Sequence, residues 1–218
     1  MATRKLRVVA VGDSTTAGTP GFLSPLESPP KGLGNPESQY AYWMSAVHPE
    51  WTVLNRGVNG QRTDEILERF ERDVIRERPD YVIVLAGVND VYQGAPQRAV
   101  KTNLLAMYQE AIRAKIIPVA ATVLPYNSTS EPERDAVHEL NRWISDTAIG
   151  LGIPVCDTNR AVADPNNPDR LRSSPEGLHP DASGYRAMGE ALTHTIEDHL
   201  LHGGLRPHHN PAAPKNKK

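Results

Sequence analysis

Residues 6–15 read Leu6-Arg7-Val8-Val9-Ala10-Val11-Gly12-Asp13-Ser14-Thr15. Leu6 to Val11 is aliphatic and β-branched apart from Arg7, the pattern of a short strand covered on both faces. Four more runs of this kind recur, at Thr52 to Leu54, Tyr81 to Ala86, Ile117 to Val123 and Pro154 to Cys156. Between them apolar residues fall at helical spacing: Ile66, Phe70 and Val74; Val100, Leu104, Tyr108 and Ala111; Val137, Leu140, Ile144 and Ala148. A last helix carries Tyr185, Met188, Leu192 and Leu200. Strands alternating with amphipathic helices require parallel pairing through right-handed crossovers, which lays helices on both sheet faces. The expected fold is therefore α/β, a three-layer α/β/α sandwich. In such a sheet ligands sit beyond the carboxyl ends of the strands, so the residues just after each strand are where chemistry is sought.

At 218 residues the chain is one domain, expected over residues 1–202. Beyond Gly203 it turns polar and proline-bearing, ends in Lys215, Lys217 and Lys218, and loses apolar periodicity, so 203–218 is expected to be a disordered tail. Twenty-four Lys and Arg against 26 Asp and Glu leave a formal charge of −2, with no global field to attract nucleic acid or an anionic membrane. The single cysteine, Cys156, removes any internal disulfide framework and any site built from several thiolates. The longest apolar run, Tyr81 to Val88, is far short of the roughly 18 residues a membrane helix needs. Asp13 interrupts the apolar stretch that follows Arg4, Lys5 and Arg7 too early for a secretory signal, so the cytoplasm is the expected location. Gly18 to Pro36, with five of the 19 prolines, is too irregular for an element; it reads either as a wall of a site or as a passive loop.

Four segments place polar chemistry beyond the strands or in the final loop. Gly12-Asp13-Ser14-Thr15 sets a hydroxyl on the turn after the first strand, as a nucleophile or as a helix cap. Asn55-Arg56-Gly57-Val58-Asn59-Gly60 follows the second, and a glycine there lets a backbone N–H come close to a ligand or simply makes a tight turn. Gly87-Val88-Asn89-Asp90 follows the third, offering a side-chain amide or a helix cap. Glu176-Gly177-Leu178-His179-Pro180 precedes the last helix and carries an imidazole three residues from a carboxylate. Serine, imidazole and carboxylate are the parts that make a hydroxyl nucleophilic near neutral pH, and Ser14 N–H, Gly57 N–H and the Asn89 amide are candidate oxyanion donors.

On these blocks the chain resembles the GDSL or SGNH hydrolases, a superfamily of esterases, lipases and thioesterases, over roughly Val8 to Leu200. The resemblance implies a five-stranded parallel, flavodoxin-like sheet and hydrolysis of carboxylic esters of small or medium acyl chains. It assigns Ser14 as nucleophile, His179 as base, Gly57 and Asn89 as oxyanion donors, and calls for neither metal nor organic cofactor. The implied partner is a small-molecule ester, with the oligomeric state left open. Related activities on the same scaffold are acyl transfer, carbohydrate deacetylation, lysophospholipase and thioesterase chemistry, and a binding protein without turnover is the further alternative. Two positions depart from the pattern. Thr15 stands where the family has leucine, and Glu176 stands where it has aspartate, one methylene shorter. Glu176 is expected to orient His179, the alternative being Asp181, which also suits a cap for the helix beginning near Ser183.

Among the remaining signals, Asn127-Ser128-Thr129 fits a glycosylation pattern but reads as an ordinary loop. No phosphate-binding glycine motif is present. Tyr40, Tyr42 and Trp43 suit an acyl pocket beside Ser14 or the core side of a first helix, and the sequence does not separate these. The connection Leu124 to Asp135 is expected to shape the pocket.

Overall fold

The computed structural model describes residues 5–202; the tail expected over 203–218 lies outside them. Strands β1 (Arg7–Gly12), β2 (Thr52–Gly57), β3 (Tyr81–Leu85), β4 (Ile117–Ala121) and β5 (Val155–Cys156) form one sheet in the order β2-β1-β3-β4-β5, every pairing parallel. This is the flavodoxin-like order, which reverses between β1 and β3 and opens a crevice beyond their carboxyl ends. Gly12 pairs with both Gly57 and Leu85, so the three strands end level and the segments that follow them start side by side.

Period-two alternation divides the core. Val9, Val11, Val82 and Val84 face one layer, packed against α3 (Thr63–Glu68), α4 (Phe70–Asp73), α6 (Gln97–Arg113) and α7 (Glu131–Leu151). Val8, Ala10, Ile83 and Val119 face the other, packed against α2 (Tyr40–Val47) and α9 (Ala182–His202). Helix α6 buries Val100, Leu104, Tyr108 and Ala111, and α7 buries Val137, Leu140, Ile144 and Ala148, the residues their periodicity singled out. The stretch through Ile66, Phe70 and Val74 keeps its buried stripe but not its continuity: α3 ends at Glu68, Arg69 caps it, α4 begins at Phe70, and a 3-10 turn follows at Ile75–Glu77. Arg69 is itself buried at this break, where its guanidinium reaches back to the sheet.

Three short helices start directly after strands: α1 (Ser14–Ala17), α5 (Val88–Tyr92) and α8 (Thr158–Val162). Each is too short to show a hydrophobic period. The 18–36 segment is ordered, with a small antiparallel pair, Phe22–Leu23 against Leu33–Gly34, and a second such pair joins Ala163–Asp164 to Asn167–Leu171.

Candidate active site

Ser14 is the first residue of α1, immediately after β1, and Asp13 is its N-cap, accepting from Thr15 N at 2.9 Å. The turn is tight because Gly12 has no side chain: a Cβ there would lie 2.2 Å from Leu85 O and from Thr16 Oγ1. Burial pushes the Asp13 carboxyl up to about 7, against the pull of its hydrogen bond from Thr15 and with a smaller push from Asp90. Asp90 is also raised by burial, partly offset by hydrogen bonds from Thr63 N and Thr63 Oγ1, which tie α5 to α3.

His179 arrives from the loop before α9, 165 residues along the chain, and its Nε2 lies 2.8 Å from Ser14 Oγ. Its Nδ1 contacts Glu176 Oε1. A carboxylate only accepts, so Nδ1 carries the proton, and Nε2 is left to accept from the Ser14 hydroxyl. Glu176 Oε2 also accepts from Leu178 N at 2.6 Å and His179 N at 3.2 Å. Burial alone would raise the Glu176 carboxyl; the hydrogen bonds from Leu178 and His179 outweigh it and hold it below the usual range. The extra methylene of glutamate is absorbed in this turn, where Gly177 takes a left-handed φ of 88°. Ser174 Oγ accepts from Gly177 N and donates to His179 O, and Asn127 N donates to Gly177 O at 2.7 Å, so the loop is fastened at both ends. Asp181 points elsewhere: it accepts from Gly184 N, Ser183 Oγ and Ser173 Oγ at the start of α9.

A cavity of about 260 Å³ opens at Ser14 and His179, walled by Thr15, Asn59, Gly60, Val88, Asn89, Tyr92, Tyr126 and Leu178. Asn89 therefore joins the serine and the imidazole, with its Nδ2 donating to Gln61 O at 2.9 Å. Gly57 is not among the residues that line the cavity. It is the last residue of β2, its N–H is taken by Asn55 Oδ1 at 2.9 Å, and a Cβ on it would lie 2.1 Å from Ala17 N. Gly57 is a packing glycine that lets α1 lie against β2. Gly60, three residues on, lines the cavity with φ 73° and an N–H without a protein acceptor. The two glycines are three residues apart, and the end of β2 falls between them.

None of Tyr40, Tyr42 and Trp43 lines the cavity: Tyr40 is a core residue, fully buried with its hydroxyl 3.0 Å from Thr16 Oγ1, Trp43 is half-buried against the same core, and Tyr42 is exposed on α2. Tyr126, from the 124–135 connection, and Tyr92, at the end of α5, supply the aromatic wall, their rings edge to face at 6.3 Å. Asn127 is half-buried, its Oδ1 accepting from Leu171 N at 2.9 Å. Burial raises the Cys156 thiol to about 11, as befits an inert core residue. Among the described residues no group of three or more His, Cys, Asp and Glu stands together to hold a metal ion, and no helix is long and apolar enough to cross a membrane.

The sequence profile of the GDSL-like lipase/acylhydrolase family matches residues 10–187. The chain belongs to this family. Within it, the chain is 25% identical over 169 residues to an acetylxylan esterase of Geobacillus stearothermophilus, covering 70% of this chain and 76% of that protein. A lipolytic protein of the G-D-S-L family from Desulfitobacterium hafniense DCB-2 superposes with a TM-score of 0.74 at 27% identity, over 87% of this chain and 99% of that one. The Geobacillus stearothermophilus acetylxylan esterase Axe2 shares the fold, with a TM-score of 0.70 at 22% identity over 88% of this chain and 94% of that one. An uncharacterized lipoprotein of Bacillus subtilis is 28% identical over 128 residues, 54% of this chain and 48% of the lipoprotein. This chain is thus a hydrolase of the GDSL family.

Proposed function

We propose that this protein is a serine carboxylesterase that removes small acyl groups through an acyl-enzyme on Ser14. The observation that carries the reading is the chain of contacts Ser14 Oγ–His179 Nε2–Nδ1–Glu176 at the mouth of one cavity. Ser14 Oγ attacks the ester carbonyl as His179 Nε2 takes its proton, and the C–O bond breaks as that proton passes to the leaving alcohol. Water, deprotonated by the same nitrogen, then releases the acid. Glu176 keeps the ring in the tautomer that accepts at Nε2 and stabilises the imidazolium. Ser14 N–H, Gly60 N–H and Asn89 Nδ2 hold the oxyanion, Gly60 taking the part first assigned to Gly57. Ser14 N–H is free for this because it opens α1, where the first amides have no intrahelical acceptor.

The cavity, about 260 Å³, is of a size for a small ester. Tyr92, 62% exposed at the rim, leaves the alcohol side open and aromatic. That rim, together with the similarity to an acetylxylan esterase, favours acetylated carbohydrate as the specific form of substrate. The test is hydrolysis of p-nitrophenyl acetate, butyrate and octanoate and of acetylated xylo-oligosaccharide by wild type and Ser14→Ala. Rates that fall with acyl length and vanish in Ser14→Ala are expected; equal rates in the two proteins overturn the proposal.

A further inference from the structure

No residue of the 18–36 segment lines the cavity, yet the segment grips the residue beside Gly60. Glu27 Oε1 accepts from Asn59 N at 2.8 Å and from Asn59 Nδ2 at 2.7 Å, while Thr19 Oγ1 donates to Asn59 Oδ1. The other carboxylate oxygen accepts from Ser24 N at 3.1 Å, and the buried Ser24 Oγ donates to Gly57 O at 2.6 Å. The amide N–H of Asn59 and both polar atoms of its side chain are thus committed to one segment.

On the other side of Gly60, Gln61 is held by its neighbours: its carbonyl accepts from Asn89 Nδ2 at 2.9 Å and its Oε1 from Arg69 Nε at 2.6 Å. Arg69 also donates to Gly12 O and Arg56 O, the ends of β1 and β2. Gly60 itself has nothing within 4 Å of where a Cβ would stand and a φ of 73°. A glycine left to itself samples a wide range of φ, so the direction of its N–H is set by what pins the residues on either side. Downstream that is Gln61; upstream it is Asn59, through Glu27.

We propose that Glu27 is a positioning residue: its carboxylate, carried on the proline-rich segment, fixes Asn59 and thereby aims the Gly60 N–H at the carbonyl oxygen reacting on Ser14. The segment is neither a pocket wall nor a passive loop but an outer brace of the oxyanion site. This rests on the reading of Gly60 as an oxyanion donor. Removing such a donor costs roughly 100- to 1000-fold in kcat, and misaiming it costs a part of that.

The experiment compares wild type with Glu27→Ala, Glu27→Gln and Ser24→Ala. The readouts are kcat and KM on p-nitrophenyl acetate, the affinity of phenylboronic acid, whose tetrahedral adduct on serine mimics the charged intermediate, and the melting temperature. Glu27→Ala is expected to lower kcat about 10- to 100-fold with KM within about threefold, and to weaken boronate binding by a similar factor. Glu27→Gln keeps an oxygen that accepts from both Asn59 donors and should recover most of the loss. Ser24→Ala removes the Gly57 anchor but leaves Glu27 on Asn59, so it should lower the melting temperature while kcat stays near wild type. Folded Glu27→Ala with wild-type kcat and boronate affinity overturns the inference, as does Ser24→Ala losing kcat to the same extent, since docking of the whole segment would then suffice. If wild type and Ser14→Ala hydrolyse the ester equally, the functional reading itself falls; if only Glu27→Ala is kinetically silent, this inference falls alone.

Discussion

Asn89→Ala separates ground-state binding from transition-state stabilisation. The Asn89 amide nitrogen has two protons; one is committed to Gln61 O at 2.9 Å, which leaves the other for the oxyanion proposed on Ser14. A neutral ester carbonyl gains little from that donor, whereas the oxyanion of the tetrahedral intermediate gains a charge-assisted hydrogen bond in a site already walled by Val88, Tyr92 and Tyr126. Removing one such donor typically costs about 2.7–4 kcal/mol of transition-state stabilisation, which at about 1.36 kcal/mol per decade is roughly 100- to 1000-fold in rate. The lost bond to Gln61 O should cost only about 1 kcal/mol of stability, because the residue is not fully buried and water reaches the carbonyl it leaves. Steady-state hydrolysis of p-nitrophenyl acetate should therefore show kcat down by two to three decades with KM nearly unchanged, in a protein that melts within a few degrees of wild type. A folded Asn89→Ala enzyme with kcat within threefold of wild type, or one whose entire loss lies in KM, would refute the oxyanion assignment.

Further outcomes follow from the same geometry. Gly57→Ala forces a Cβ to 2.1 Å from the backbone of Ala17 and should cost about 3 kcal/mol or more by thermal or chemical melting, whereas Gly60→Ala meets no neighbour and should cost about 1 kcal/mol for its positive φ while keeping its N–H and most activity. The reverse order of stabilities would return Gly57 to the oxyanion site. Glu176→Ala should lower kcat about 1000- to 10,000-fold, and Asp181→Ala, which uncaps α9, should cost about 1 kcal/mol of stability with little change in rate; the opposite ranking would reassign the orienting carboxylate. Asp13 has a folded pKa near 7 against an ordinary value near 3.8, so its contribution to stability is full below about pH 4 and is lost as pH rises through 7. Asp13→Asn keeps an oxygen to cap Thr15 N and should melt higher than wild type at pH 9 but not at pH 4. A difference in melting temperature that does not change with pH would remove the buried-acid account.

The fold was legible because each of its layers leaves a periodic trace. Uninterrupted apolar runs such as Tyr81 to Ala86 cannot be half-exposed strands, and the stripe Val137, Leu140, Ile144, Ala148 has only one amphipathic solution. The break at Arg69 left no such trace, because the stripe through Ile66, Phe70 and Val74 continues across it; what interrupts the helix is a buried guanidinium drawn to carbonyls 57 and 13 residues away.

For the site, the residue types and their places, after strands for Ser14 and Asn89 and in the loop before the last helix for His179 and Glu176, were enough to nominate them, since chemistry in a parallel sheet gathers at one edge. The choice between Gly57 and Gly60 was not available from spacing. It depends on where β2 ends and which amides find acceptors: the N–H of Gly57, the last residue of the strand, is taken by Asn55 Oδ1, while Gly60 in the turn beyond lines the cavity. The same holds for Glu176 against Asp181, decided by which carboxylate the Gly177 turn aims at the imidazole, and for Glu27, whose link to Asn59 joins residues 32 apart that no local pattern connects. Chain order and side-chain chemistry fixed what could react; only the packing of loops from distant parts of the chain decided which donors face it, because hydrogen bonds are directional and their partners are set by where each strand ends.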